Sequence, residues 1–236
     1  MKHIFKLIIA VAGIIFFQKL DAQDVDSLSQ IVIDQDYQTG EFTDLRDKNV
    51  YKWVQIGDQI WMAENLRYFN RLGKTGSKYE YWISGFNGTD RQKARESDNY
   101  LKYGVLYNYE SAKKRCPDGW HLPSRREWLI LIQNVNNKAN FIKEKSFWND
   151  AQNDENTNIV GLSIRPAGRY QCSRFRDQNY QALFWSADVR ATHKTIKGGY
   201  ISEIYTFSLK LGSDAIHQTR YLEKYAASVR CVKDSE

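Results

Sequence analysis

Aromatic side chains carry most of the apolar surface of this 236-residue chain. It contains 15 tyrosines, 11 phenylalanines and seven tryptophans, but two methionines. This density excludes a solvated, disordered coil, and broad rings are well suited to cover the faces of β-sheets. A mean hydropathy of −0.63 also excludes a polytopic membrane protein. We therefore expect a compact, β-rich domain with one main core.

The first 22 residues have the pattern of a secretory signal peptide. Lys2 and Lys6 precede an uncharged run at residues 7–17, and the small residue Ala22 follows. A helix over this run, rising about 1.5 Å per residue, is much shorter than the ~30 Å hydrocarbon core of a bilayer. We therefore predict cleavage after Ala22 or Gln23 and no transmembrane anchor in the mature chain. The alternative is an uncleaved amphipathic helix.

Export determines how the charges and cysteines are interpreted. Loss of residues 1–22 removes three lysines and one aspartate, which lowers the formal charge from +6 to +4. Basic residues are scattered among acids, so no nucleic-acid partner is expected. In the periplasm, at the cell surface or outside the cell, cysteines oxidise. Cys116, Cys172 and Cys231 allow one internal pair, and the residues alone leave all three pairings open.

Two helices are predicted near the middle of the chain. Asn108 can cap a short helix over residues 109–115, which ends before a proline. Ser124 and Glu127 form an S-x-x-E capping box, and apolar residues with helical spacing follow it.

Strands are predicted before and after these helices. Gly57 lies between two alternating segments and predicts a hairpin. The order of strands, helices and strands predicts an α+β domain whose termini meet in one sheet. The predicted strands are residues 50–56, 59–62, 161–164, 183–187, 200–211 and 226–232.

The domain organisation follows from these elements. Residues 1–22 are the signal peptide, residues 23–45 a polar lead segment that ends in an edge strand, and residues 46–236 the folded domain. Residues 70–102, rich in Gly, Asn, Asp and charge, are interpreted as a long surface excursion.

Several segments, in order along the chain, resemble the Fibrobacter succinogenes major paralogous domain (FISUMP). They span about residues 46–234. The family consists of exported bacterial proteins, mostly of unknown function. The segments are residues 49–52, 56–66 (Ile-Gly-Asp-Gln-Ile-Trp-Met-Ala-Glu-Asn-Leu), 103–108, 116–124 (Cys-Pro-Asp-Gly-Trp-His-Leu-Pro-Ser) with 127–128, 184–186 (Phe-Trp-Ser) and 228–234.

A second resemblance concerns the fold. His121 to Ser124, with Glu127 and Trp128, looks like the R-L-P-x-E-x-E-W region of formylglycine-generating-enzyme-like domains. This likeness implies a C-type-lectin-like α+β fold, with two short helices, antiparallel sheets and much irregular loop. In that fold a disulfide joins the first helix region to the last strand, which favours Cys116–Cys231 and leaves Cys172 unassigned.

The sequence does not predict catalytic, metal or cofactor residues. The triplet at residues 148–150 spells the W-N-D of calcium-dependent lectins, but it lies far from Cys231, so we interpret it as a buried Trp148 beside a polar loop. His121 is interpreted as a packed or hydrogen-bonded side chain. No G-x-S-x-G, H-E-x-x-H or Walker sequence occurs, and no base is placed beside Cys172.

One loop interleaves cations and rings and is the predicted binding surface. Ring faces and arginines are suited to hold sugars, anionic glycans above all. The alternative is an ordinary solvated loop. The candidate residues are Arg169, Tyr170, Arg174, Phe175, Arg176 and Tyr180.

Together these observations indicate an exported, non-enzymatic binding or adhesion module of the bacterial cell envelope, whose ligand is a glycan or a surface protein. The alternative is a formylglycine-generating-enzyme-like or hydrolytic enzyme, and its motivation is the region around His121. A purely structural envelope component is a third reading, because fold does not fix function.

Overall fold

A computed structural model describes residues 6–11, 14–19, 36–70, 72, 81–151 and 154–235 and divides the chain into two units. The first unit, residues 1–36, contains the antiparallel strands β1 (Lys6–Val11) and β2 (Ile14–Lys19), paired from Lys6 with Lys19 onward. The predicted cleavage position lies outside the described residues. None of the described helices combines the length and the apolar character needed to cross a membrane.

The second unit, residues 37–236, contains much more strand than helix, and its helices are short, which confirms the α+β class. Its strands are β3 (Thr39–Thr43), β4 (Val50–Ile56), β5 (Gln59–Met62), β6 (Tyr81–Trp82), β7 (Leu106–Asn108), β8 (Trp120–His121), β9 (Arg169–Gln171), β10 (Arg174–Arg176), β11 (Gln181–Lys194), β12 (Tyr200–Lys210), β13 (His217–Leu222), β14 (Ala226–Ser228) and β15 (Val232–Lys233). Its helices are α1 (Arg91–Arg95), α2 (Asp98–Tyr103), α3 (Tyr109–Ala112) and α4 (Arg125–Asn134), and 3-10 turns follow at Ala139–Ile142 and Lys145–Phe147.

One sheet brings the two ends of the second unit together, as the sequence predicts. Its strand order is β3-β4-β5-β15-β8. The β4–β5 hairpin turns at Gly57, whose φ of +59° favours glycine. Val232 pairs with Trp61 on one side and with His121 on the other. The last strand therefore closes the sheet between β5 and β8.

The other sheet has the order β10-β9-β14-β11-β12-β13, with β7 on β14 and β6 on β7. Strands β11 and β12 form a long antiparallel hairpin, while β14 runs parallel to β11 where Ser228 pairs with Phe184. The predicted strand at 226–232 is thus divided between the two sheets as β14 and β15. The predicted strand at 161–164 is reduced to one isolated bridge between Ile164 and Lys143.

The predicted capping box begins α4. The Ser124 hydroxyl accepts from the Glu127 amide, and the Glu127 carboxylate accepts from the Ser124 amide. The helix carries the fully buried Trp128, whose ring lies 4.8 Å from that of Trp61 and 5.1 Å from that of Phe207. Because Trp61 and Phe207 belong to different sheets, this one side chain packs the two sheets together.

Two differences from the sequence predictions concern short helices. Asn108 caps α3 as predicted, but the helix ends at Ala112 and residues 113–115 continue as a turn. Residues 70–102 are not simply a surface excursion, because β6 and α1 lie within them, α2 begins there and Ile83 is fully buried. These helices have five and six residues, too few to show an apolar period.

A buried arginine joins three distant segments of the core. Arg230 is 1% exposed and has carbonyl and amide acceptors around its guanidinium. It donates to Asn65 Oδ1 at 3.0 Å, to the Met62 carbonyl at 3.2 Å, to the Ser163 carbonyl at 2.9 Å and to the carbonyl of Leu162. Burial, and then the neighbouring Arg165, lower the pKa of Arg230 to about 9, so the group is charged at neutral pH.

The expected disulfide is present and lies beside this arginine. Cys116, which follows α3, is bonded to Cys231, with Cα atoms 5.8 Å apart. The Cys231 carbonyl accepts from the Met62 amide at 3.0 Å, so the bridge is also tied to β5. The buried core cluster and the disulfide lie within residues 37–236. These residues therefore form a unit with its own core.

We predict that Arg230→Met lowers the free energy of unfolding by about 3–5 kcal/mol, because it leaves buried carbonyl groups without donors. Arg230→Lys keeps the charge but cannot reach all four acceptors, so it loses less. Arg220→Met, at a side chain 62% exposed, is the control and should change little. Urea unfolding measures all three, and an unchanged Arg230→Met would contradict the assignment.

We also predict that Cys116→Ala/Cys231→Ala destabilises the protein. The bridge closes a loop with a sequence separation of 115 residues. Closing a loop of that length is worth about 4–5 kcal/mol in the chain-entropy model. Chemical denaturation under oxidising conditions should show most of this loss, and Cys172→Ser should show none of it. Equal stability of the double variant and the wild type would contradict a structural role for the bridge.

Candidate functional site

The predicted binding loop is a β-hairpin whose rings and arginines lie on opposite faces. Strands β9 and β10 pair Arg169 with Arg176 and Tyr170 with Phe175. Paired residues share a face, and residues two apart along a strand share a face as well. The interleaving seen in the sequence is therefore the alternation of a strand, with one face of arginines and one of aromatic rings.

The aromatic face packs into the domain. Tyr170 is 5% exposed and its ring stacks on Trp82 at 4.7 Å between centroids. Phe175 is half-buried and lies 5.2 Å from the same tyrosine ring. Tyr170 and Phe175 therefore support the hairpin from below, and they are not positioned to stack on a ligand.

The arginine face, defined here as Arg169, Gln171, Arg174 and Arg176, is the outer surface of the hairpin. Arg169 donates to Asp177 at 2.7 Å and is half-buried. Arg174 and Arg176 are exposed on the edge strand, and neither makes an ion pair within the described residues. Two guanidinium groups are therefore available to an incoming anion.

Tyr180 follows this hairpin and is 49% exposed. Its amide donates to the Asp177 carbonyl at 3.1 Å, and its carbonyl accepts from the Leu211 amide at 2.8 Å. These bonds fix the backbone that carries the ring, which leaves the ring as an aromatic group beside the hairpin.

Cys172 lies at the turn of the same hairpin. Cys172 and Ser173 have φ values of +49° and +60°, as a two-residue hairpin turn with both central residues left-handed requires. The thiol is exposed and its sulfur lies 3.5 Å from the hydroxyl of Tyr225. A tyrosine hydroxyl is a poor base at neutral pH, so this contact does not activate the thiol.

His121 is held between two carboxylates. Its Nδ1 lies 2.6 Å from Asp234 Oδ1, and its Nε2 lies 2.7 Å from Glu127 Oε1. Glu127 is the capping-box residue of α4, so the imidazole joins the start of that helix to the C-terminal segment. These contacts agree with the prediction of a hydrogen-bonded histidine.

The charges around His121 shift its titration. Partial burial by itself lowers the pKa of His121, but the hydrogen bonds to Asp234 and Glu127 outweigh it, so the pKa is raised above its ordinary 6.5. Glu127 is also partly buried, yet the donors of Ser124 and His121 lower its pKa. Both shifts favour the ionic form of the pair.

The W-N-D triplet is a structural element. Trp148 is fully buried and its indole donates to the Ile164 carbonyl at 2.7 Å. Asp150 accepts from the Lys143 ammonium at 2.9 Å and from the Gly212 amide at 2.6 Å. Its Oδ2 is therefore occupied by internal donors. Within the described residues, no group of three or more His, Cys, Asp or Glu side chains is arranged to hold a metal ion.

Sequence reasoning missed a cleft of about 450 Å³ beside β3 and β4. Gly40 pairs with Trp53 across the two strands, and a Cβ at position 40 would lie 2.5 Å from the indole ring. The missing side chain leaves the indole room beside the strand. The charged and aromatic lining residues are Glu41, Lys52, Trp53, Glu64, Glu144 and Arg165.

The cleft differs in character from the arginine face. It carries charges of both signs, and Glu64 is already bonded to Arg67 at 2.8 Å. Neither His121 nor Cys172 lines it. A glycine opposite a tryptophan is the sequence pattern that could have located it, but the strand register that pairs them is not visible in the sequence.

Fold and surfaces together define a β-rich, disulfide-bonded α+β domain with a cationic edge hairpin. Comparison with family descriptions identifies the Fibrobacter succinogenes major domain, which matches residues 54–233. The chain therefore belongs to this family, as its motifs predicted. Searches of curated proteins and of solved structures found no match.

The contacts of His121 predict a pH-dependent contribution to stability. A histidine whose pKa is raised by folding stabilises the protein fully below its unfolded pKa of about 6.5 and loses that contribution as pH rises through the folded pKa. The difference in unfolding free energy between wild type and His121→Gln should therefore be larger at about pH 6 than at about pH 9. Urea titrations at both pH values measure it, with His217→Gln as the control, because His217 contacts the Ser213 hydroxyl and makes no ion pair with a carboxylate among the described residues. A difference independent of pH would contradict the ion pairs.

Proposed function

We propose that this protein is an exported binding module of the cell envelope that holds an anionic glycan on the arginine face. The observation that carries the proposal is the pair Arg174 and Arg176, exposed on the edge strand β10 without acidic partners among the described residues. Alternate residues of a strand lie about 7 Å apart, so the pair presents two separate donors along one line.

The chemistry of arginine favours an anionic ligand. A guanidinium offers planar, paired donors that match carboxylate, sulfate or phosphate groups. Asp177 holds Arg169 in place at 2.7 Å, and the Arg169 guanidinium lies 5.7 Å from the ring of Tyr221. This residue therefore forms a fixed edge, while Tyr180 adds an exposed ring for the apolar face of a sugar.

The proposal includes export and a C-type-lectin-like scaffold. Export is supported by the apolar segment after Lys6 and by the disulfide, which is typical of oxidising compartments. The scaffold is supported by β15, which closes the first sheet between β5 and β8, and by the bridge from the region after α3 to Cys231. In such a scaffold, ligands are held by loops and hairpins on a fixed frame.

The alternative is a formylglycine-generating-enzyme-like or hydrolytic enzyme, and it has less support. A reactive cysteine pair is needed for the first, but Cys116 and Cys231 are joined to each other, and Cys231 is fully buried. Cys172 lies beside a tyrosine hydroxyl, and His121 is saturated by two carboxylates. A binding role, in contrast, requires only the exposed arginines Arg174 and Arg176 where they lie.

We expect the purified protein to bind acidic glycans on an array in preference to neutral ones. Arg174→Gln/Arg176→Gln should weaken that binding by about tenfold or more, because each charge-assisted hydrogen bond contributes roughly 1.5–3 kcal/mol before solvent screening at this exposed site. The control is Lys114→Gln/Arg126→Gln, which removes the same charge from exposed positions elsewhere.

Screening by salt gives a second readout, since binding by exposed arginines should weaken as ionic strength rises. Binding confined to neutral glycans, or equal loss in the variant and in its control, would reject the arginine face as the ligand site.

A further inference from the structure

The outer part of the β11–β12 hairpin, residues 192–202, forms an arm whose described strand pairing is with itself alone. Strand β13 accompanies β12 only as far as Glu203, which pairs with Leu222, and the Glu223 amide reaches the Ser202 carbonyl at 3.0 Å. Beyond Glu203, β11 and β12 pair only with each other, from Thr192–Ser202 to Lys194–Tyr200. At about 3.3 Å per residue, the arm extends roughly 15 Å from its base to its tip.

The arm exposes apolar side chains that contribute nothing to the core. Ile196 is fully exposed at the tip and Tyr200 is 72% exposed. Single exposed apolar residues are ordinary on protein surfaces, but two large ones on one projecting element favour an interaction surface.

The charge of the arm is of one sign. Residues 192–202 contain Lys194 and Lys197 and no acidic residue. Arg190 pairs at 2.7 Å with Glu203 at the base of the arm. Lys194 and Lys197 make no ion pair within the described residues, so the tip combines two available cations with an isoleucine and a tyrosine.

We infer that this arm docks on an anionic lipid surface. An isoleucine can enter the interface between headgroups and acyl chains, a tyrosine is favoured at that depth, and lysines are attracted to anionic headgroups. The tip also satisfies its own backbone, because the Thr195 amide donates to Gly199 at 2.7 Å and the Gly198 amide donates to Thr195 at 2.9 Å. Shallow insertion therefore leaves these donors paired.

Charge favours a lipid surface over a second copy of the chain. Two arms that paired edge to edge would bring lysines of the same sign together, and lysines on an edge strand oppose such pairing. The arm is also separate from the arginine face, because β12 and β10 lie toward opposite ends of the same sheet. The inference therefore does not depend on the proposed glycan site.

Co-sedimentation with vesicles tests the inference. The protein used is the chain from residue 23 onward, which contains the whole second unit and lacks the apolar segment at residues 7–17, whose own affinity for lipid would obscure the arm. We expect it to sediment with vesicles of equimolar phosphatidylglycerol and phosphatidylcholine and to remain in solution with phosphatidylcholine alone. Added salt should weaken the binding.

The two contributions can be removed separately. Lys194→Gln/Lys197→Gln should lower the partition coefficient on the order of 25-fold, about fivefold for each lysine. Ile196→Ser/Tyr200→Ser should lower it by about tenfold through lost insertion. The charge control is Lys93→Gln/Lys114→Gln, and the apolar control is Leu45→Ser at a side chain 77% exposed. Both should bind as wild type does.

Several results would overturn the inference. They are equal binding to neutral vesicles, no binding to either vesicle, or equal losses in the arm variants and the controls. Light scattering after size-exclusion chromatography provides a further test. A dimer that is abolished by Ile196→Ser/Tyr200→Ser would show that the arm binds a second copy of the chain instead of lipid. Unfolding curves identical to wild type show that the exposed substitutions leave the fold intact.

Discussion

The rest of the second unit depends on the hydrogen bonds that the buried guanidinium of Arg230 donates. Arg230 makes no ion pair among the described residues, and this fully buried cation is stable because four oxygen acceptors surround it, supplied by Met62, Asn65, Leu162 and Ser163. These acceptors lie in segments that are far apart in the chain. The charge therefore joins the loop before Ile164 to the contact between β5 and the last strands, and the neighbouring disulfide fastens the same point.

On this frame the two sheets are packed through Trp128, and the surfaces offered to ligands lie at the margins. The arginine face lies on β9 and β10 at one end of the larger sheet, and the arm projects from β11 and β12 toward the other end. One surface offers exposed guanidinium groups and the other combines lysines with apolar side chains. Together, the two proposals describe a protein that holds a glycan while it rests on a membrane.

The features that the sequence predicted correctly depend on interactions between residues close together in the chain. The capping box at Ser124, the hairpin at Gly57 and the cap at Asn108 each depend on residues within a few positions of one another, and all three were correctly located. Helices α1 and α2 were missed because each has at most six residues. The burial of Tyr170 was missed for a different reason. The alternation of residues along a strand shows that rings and arginines lie on opposite faces, but it does not show which face packs against Trp82. The exposure of the arm was missed because Ile196 and Tyr200 look like core residues in the sequence.

The sequence by itself determined the family, the α+β class, the two capped helices and the chemical character of the arginine-rich hairpin, because these depend on residue type and short spacing. Its family likeness also pointed to the Cys116–Cys231 bridge. The tertiary structure alone decided which faces are buried and which acids pair with His121, Lys143 and Arg169. It also decided that the end of the β11–β12 hairpin projects from the sheet. The physical reason is that burial and charge pairing depend on contacts between segments far apart in the chain, such as Asn65 with Arg230, and no local pattern encodes them.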